Sequence, residues 1–227
     1  MLQPSHRLLI GLLAPALLCS TAQGSAITNG SFELGGLEGW STFEANTVDE
    51  GAWVAAQGGT ILPLSSGRVP MASHGEMVAI SDMAAAGLRV LYQDITIPEN
   101  GSLSFDLWWR NTAGFWENPG NMFPEPFPNQ HARIDLITTD APLNTTDPAD
   151  ITRSLVLLDG GDTESISWVS FSFDLSDLAG QTLRLRIAEV DNQAPLYVAV
   201  DNFVLIPSPG TIPLAYLALC LSARRRR

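Results

Sequence analysis

The chain has no lysine, so all twelve of its basic residues are arginine. Its two cysteines, Cys19 and Cys220, sit near the two ends and leave the long middle without a thiol or a disulfide. The middle holds only two histidines, His74 and His131. These absences remove thiol and lysine nucleophiles from the middle and leave too few soft ligands for a Cys/His metal centre. No nucleophile elbow, zinc-helix motif or phosphate loop occurs. With 24 carboxylates a glycosidase pair stays open, although no particular pair can be named. No segment carries sustained helical periodicity with caps, and no apolar run reaches the roughly 20 residues that a spanning helix needs.

The charge is unevenly placed. Five arginines, Arg7 and Arg224 to Arg227, lie in the terminal segments, whereas all 24 acidic residues lie between Glu33 and Asp201. The central region therefore sets seven arginines against 24 carboxylates, a net −17, compared with −12 for the whole chain. Such a surface repels nucleic acid and anionic headgroups and tolerates or recruits divalent cations.

Residues 1–26 are built like a secretory signal peptide, the substrate of a signal peptidase. Arg7 precedes the apolar run Leu8 to Leu18, and small residues from Ser20 to Ala26 follow, with Gly24-Ser25-Ala26 as the cleavage site. A buried N-terminal helix is the alternative, and Pro15 counts against it. Leu18 before Cys19 is larger than the small residue of a lipoprotein signal. Residues 207–227 form a second segmented end. Pro207-Ser208-Pro209-Gly210 is expected to break the preceding strand, an apolar stretch runs from Thr211 to Ala223, and Arg224, Arg225, Arg226 and Arg227 close the chain. The arginines would stay cytoplasmic, so the apolar segment crosses the inner membrane transiently.

Between them, residues 27–206 read as one domain of short strands, expected to be flanked by a signal helix and a short apolar C-terminal helix. Leu103, Phe105, Leu107 and Trp109 alternate with Ser104, Asp106, Trp108 and Arg110. The same period of two runs through Trp168 to Leu175 and through Leu183 to Ala188. Leu196 to Leu205 reads as a last strand with a kink near Asp201-Asn202. Asn100-Gly101 and Asp159-Gly160-Gly161-Asp162 are turn signals. The pattern predicts an all-β antiparallel sandwich or jelly roll. Ser81 to Leu88 is the one helix-like patch, and Thr112 to Gln130 is a long loop bearing Phe115, Trp116, Phe123 and Phe127.

Two resemblances follow from these residues. The tail, with its proline-bracketed motif, apolar segment and terminal arginines, resembles the PEP-CTERM sorting signal, with Ser208 where that family has a glutamate. This implies an exosortase-like sorting peptidase as partner; an ordinary tail anchor is the alternative. Over 27–206 the chain resembles the galactose-binding-like jelly roll of carbohydrate-binding modules. The carriers are Asn29-Gly30-Ser31-Phe32-Glu33 with Gly39-Trp40, Ser73-His74-Gly75, Tyr92-Gln93-Asp94-Ile95, Asp177 to Arg186, and Asp201-Asn202-Phe203-Val204-Leu205. That resemblance implies a structural Ca2+ held by Glu33 and Asp201, with carbonyls near Asn29 and Gly75. The alternative is a solvated Glu33 and an Asp201 that caps a strand.

For a sugar, Trp108 is the candidate platform, sharing its face with Asp106 and Arg110; Arg133 with Asp135, and Arg184 with Arg186, are candidates for the same face. The alternative is that these charges form cross-strand ladders. The sequence thus predicts a non-catalytic exported protein of the cell surface or matrix that binds extracellular polysaccharide. A structural or adhesive envelope component without a defined ligand is the alternative, and an extracellular glycan hydrolase is a third reading.

Overall fold

The computed structural model describes residues 27–46, 51–123, 128–165 and 167–207. The expected signal segment 1–26 and the tail from Ser208 onward lie outside these residues. Ten strands follow one another: β1 Ser41–Asn46, β2 Gly51–Gln57, β3 Met77–Met83, β4 Gly87–Thr96, β5 Gly101–Asn111, β6 Gln130–Ile137, β7 Ile151–Leu158, β8 Val169–Asp174, β9 Thr182–Asp191 and β10 Leu196–Pro207. They form two five-stranded sheets, ordered β1-β4-β9-β6-β7 and β2-β3-β10-β5-β8, with every pairing antiparallel. The protein is an all-β sandwich, as the alternation predicts.

Alternation decides what each strand buries. Leu103, Phe105 and Leu107 of β5, Leu183, Leu185 and Ile187 of β9, and Val198 and Val200 of β10 meet in the core between the sheets. Fully burying one such side chain stabilises the fold by about 1.5–3 kcal/mol. The opening segment closes this core. Phe32 is fully buried with its ring tilted 35° to Trp40, Trp40 lies 5.2 Å from the Phe203 ring, and the Trp40 indole N–H donates to the Asn29 carbonyl.

The outer faces are also covered, which simple alternation does not foretell. Leu62 and Val69, from the segment between β2 and β3, pack onto Val78, Ile80, Tyr197 and Ala199 of the second sheet. On the first sheet, Met122 and Leu143 cover Leu88, Val90, Ala188 and Val190. The long loop after β5 is held by its own polar contacts: Glu117 and Gln130 exchange two backbone hydrogen bonds, and the Asn129 amide donates to the carbonyls of Asn121 and Phe123. Of its aromatics, Trp116 packs on the core and Phe127 lies outside the described residues.

Two local expectations need adjusting. Ser81 to Leu88 is not helical. It is the end of β3, a turn over 84–86 and the start of β4, because Ser81 belongs to the sheet and its hydroxyl accepts the Val198 N–H. Pro207 does not break the last strand but completes it, paired with Gly101 at the strand end, where a proline is tolerated. The kink near Asp201-Asn202 is present as a register shift between Asp201 and Val204, with Asn202 at φ 54°.

Candidate functional site

β5 turns Asp106, Trp108 and Arg110 outward, as expected, and the structure supplies a partner for Trp108. β5 and β8 pair in register up to Leu107 and Val169. Just past the end of that ladder, Trp108 and Trp168 are both half-buried against the small outer core of the second sheet. The Trp168 indole N–H donates to the Met71 carbonyl at 2.7 Å and so pins the covering segment beside it. Beyond Trp109 the strand continues by pairing with the segment at 163–165. Asn111 N–H donates to the Thr163 carbonyl and Ser165 N–H to the Trp109 carbonyl. That pairing sets Glu164 opposite Arg110, with a loose ion pair of 3.7 Å.

These elements enclose a groove of about 920 Å³ on the outer face of the second sheet. Trp108 and Trp168 supply ring surface, Met71 is 71% exposed at the rim, and Arg68, Arg110 and Glu164 supply charge. Ring faces bordered by polar groups suit a ligand with C–H faces and hydroxyl edges. A neighbouring depression of about 510 Å³ shares Glu164, Ser165 and Ser167 and is bounded by Trp109.

The expected set of five groove residues does not stay together. Trp108 and Arg110 line the groove. Asp106 shares their face but holds the Ser170 hydroxyl through Oδ1 and the Asn202 amide through Oδ2. Arg133 and Asp135 belong to β6, in the opposite sheet, so they do not reach Trp108. There Asp135 is fully buried between Arg133, at 2.7 Å, and Arg186, at 2.6 Å, and Arg186 also donates to the carbonyls of Leu143 and Thr145. Arg184 pairs with Asp94 across β9 and β4, over the Tyr92 ring. Arg186–Asp135 and Arg184–Asp94 are cross-strand pairs of the kind the alternative reading described, but Arg133–Asp135 lies within β6 and Trp108 covers none of them; Arg186 ties the 143–145 segment to the first sheet.

Glu33 and Asp201 do meet on one turn. The Glu33 Oε1 accepts the backbone N–H groups of Glu76 and Met77, and Gly75, at φ +70°, leaves room for that carboxylate. Asp201 is fully buried and accepts the N–H groups of Ser73 and His74 and, from its own end, that of Asn202. Burial raises the Asp201 carboxyl, and these hydrogen bonds partly offset the rise. The donor set is all oxygen, which suits a hard cation. However, N–H groups are already aimed at both carboxylates, and the Asn29 carbonyl already serves Phe32 and Trp40. A cation here would compete with existing hydrogen bonds. Among the described residues no three His, Cys, Asp or Glu side chains gather as a metal cluster.

A third polar site went unforeseen. Inside the end of the sandwich, fully buried Arg89 faces Glu189 at 3.4 Å and Asp191 at 2.9 Å. One guanidinium faces two carboxylates, so the trio is short of one positive charge. Burial pushes Asp191 up to about 6 and Glu189 well above the carboxylate range. Asp191 also borders a depression of about 350 Å³ beside the 84–86 turn. His131 is buried too. Burial, reinforced by Arg133, lowers it to about 4, so it is a neutral imidazole held by Asn129 rather than a proton shuttle near pH 7.

Sequence reasoning overlooked Trp168 and Arg68. The alternation from Trp168 onward did place Trp168 on the face of Ser170, but nothing in it showed that this face meets Trp108. Arg68 carries no signal, since it stands on an irregular segment.

No protein-family model matches the chain, and no curated protein matches it. Among the described residues no helix is long and apolar enough to cross a membrane. Solved structures are similar to it at low identity. The K3 cleaved adhesin domain of Lys-gingipain from Porphyromonas gingivalis is 15% identical, over 80% of this chain and 98% of that one, with a TM-score of 0.49. TmCBM61, solved in complex with β-1,4-galactotriose, is 17% identical over 81% and 99%, with a TM-score of 0.47. A family 16 carbohydrate binding module is 16% identical over 79% and 98%, with a TM-score of 0.41.

Proposed function

We propose that this is a non-catalytic polysaccharide-binding protein of the cell surface or extracellular matrix, and that its ligand lies in the Trp108–Trp168 groove. One observation carries the reading: two tryptophans, 60 positions apart in the chain, line one groove on the outer face of the second sheet, bordered by arginine, glutamate and serine. Export and sorting belong to the same reading. They are supported by the signal-like run at 8–18 and by the motif, apolar stretch and arginines from Pro207 to Arg227. A weak structural calcium at the Glu33–Asp201 turn is part of the proposal, supported by both carboxylates being held on the one turn over residues 73–77.

The test is affinity electrophoresis of the full chain through gels containing a panel of neutral and acidic polysaccharides. Retardation by at least one polymer is expected. Trp108→Ala and Trp168→Ala should each abolish it, and circular dichroism should report the same β content as the parent. Retardation that survives both substitutions would move the site elsewhere. Hydrolysis of a retained polymer would overturn the non-catalytic reading.

A further inference from the structure

The seven arginines of the described residues divide sharply. Five are held by carboxylates: Arg89 by Glu189 and Asp191, Arg133 and Arg186 by Asp135, Arg153 by Asp177, and Arg184 by Asp94. The other two are Arg68 and Arg110, and both line the groove. Arg68 donates to the Gly59 carbonyl at 2.9 Å and has no carboxylate partner among the described residues. Arg110 meets Glu164 only at 3.7 Å, with the two side chains 52% and 59% exposed.

Resting on the glycan reading, we infer that the groove selects acidic polysaccharide, stacking the sugar ring on Trp108 or Trp168 while Arg68 and Arg110 donate to its anionic group. A guanidinium presents a planar fork of N–H donors that matches a carboxylate or sulfate, and these charge-assisted bonds are roughly twice as strong as neutral ones. Exposed ion pairs such as Arg110–Glu164 contribute little, so a ligand anion readily displaces Glu164. The negative field of the remaining surface repels polyanions generally, which restricts acidic chains to the one place where both cations face a ring platform. Selectivity therefore comes from the groove and not from net charge.

The inference separates two members of a pair that differ only in charge. Binding of the full chain is measured by calorimetry with oligogalacturonate, its methyl ester and a sulfated galactan oligosaccharide. The acid or the sulfate is expected to bind about tenfold more tightly than the ester, an advantage that shrinks as salt rises. Arg68→Gln and Arg110→Gln should each weaken the anionic ligand by about 3- to 10-fold and weaken the ester by less, so that the acid's advantage over the ester shrinks. Glu164→Gln should tighten the anion by freeing Arg110. Binding of the sulfate alone supports the inference with sulfate as the anion. Equal binding of acid and ester, insensitive to both arginine substitutions, overturns the acidic selectivity while the glycan reading stands. Failure of every saccharide, acidic or neutral, to bind removes the glycan reading and this inference together.

Discussion

Asp106 on β5 and Asp201 on β10 stand directly opposite each other in the ladder, and both reach the same hydroxyl, Ser73 Oγ, at 2.8 and 3.0 Å. A hydroxyl has one proton, so it serves one carboxylate at a time, and like charges directly opposite in a sheet are unfavourable. The turn at Ser73-His74 is thus fixed over the sheet by two buried acids that repel each other. Asp106→Asn should keep the contacts with Ser73 and relieve the repulsion, raising the melting temperature slightly at pH 7. Asp201→Ala strips the N–H groups of Ser73 and His74 of their acceptor and should cost about 2–4 kcal/mol in urea unfolding. A destabilising Asp106→Asn would show that the repulsion is already relieved.

The Arg89–Glu189–Asp191 trio makes stability depend on pH in a definite direction. A carboxyl raised in the folded state contributes stability that is complete below its unfolded value, near 4, and is lost as pH rises through its folded value. For Asp191 that window runs from the ordinary 3.8 to about 6, worth about 3 kcal/mol, and Glu189 extends it upward. His131, lowered to about 4, contributes the opposite slope over nearly the same window, so the fall is read in a His131→Gln background, where urea midpoints should drop from pH 4 to pH 7 and Glu189→Gln should flatten the drop. Arg89→Met leaves two buried carboxylates without their cation and should cost about 3–5 kcal/mol at pH 7. A flat profile between pH 4 and pH 7 in the His131→Gln background would contradict this account.

Gly30 lies against the last strand with no room for a side chain: a Cβ would stand 2.2 Å from the Phe203 carbonyl oxygen. The same contact carries the hydrogen bond from Phe203 N–H to the Gly30 carbonyl. Gly30→Ala should therefore push the Phe32–Trp40–Phe203 cluster apart and lower the melting temperature by several degrees, with a loss of near-ultraviolet tryptophan signal. An unchanged near-ultraviolet spectrum would mean that the opening segment is not held there.

Calcium at the Glu33–Asp201 turn is checked by thermal melts in chelator and in millimolar calcium. A weak site gives a rise of about 2 kcal/mol or less, set by the ratio of free ion to its dissociation constant, and Glu33→Gln abolishes the rise. Superimposed melts would rule the ion out.

Mass spectrometry of the native protein from cells and medium reads both ends. Loss of residues through about Ala26 and of everything after the Pro207 region is expected. An intact Arg224 to Arg227 end in the membrane fraction would instead identify a retained anchor.

The sequence by itself determined which side chains each of several strands would bury. Strict alternation in Leu103 to Trp109 and in Leu183 to Ile187 marks a strand that turns one face to the core, and the polar Asp201-Asn202 step inside an apolar run marks the bulge. It also put Asp106, Trp108 and Arg110 on a common face. What alternation leaves undetermined is which strands become neighbours, because a period of two relates a residue to its own strand only. Arg133 and Asp135 show the consequence: their pattern is as polar as that of β5, yet pairing with β9 and β7 carries them to the opposite sheet. Tertiary structure alone decided that Trp108 would stand beside Trp168, that Arg68 would arrive from an irregular segment, and that Glu189 and Asp191 would face the interior with a single arginine. Each of these depends on long-range pairing and on segments folding over the outer faces of the sheets, where the free energy comes from burying surface shared by residues that the sequence keeps far apart.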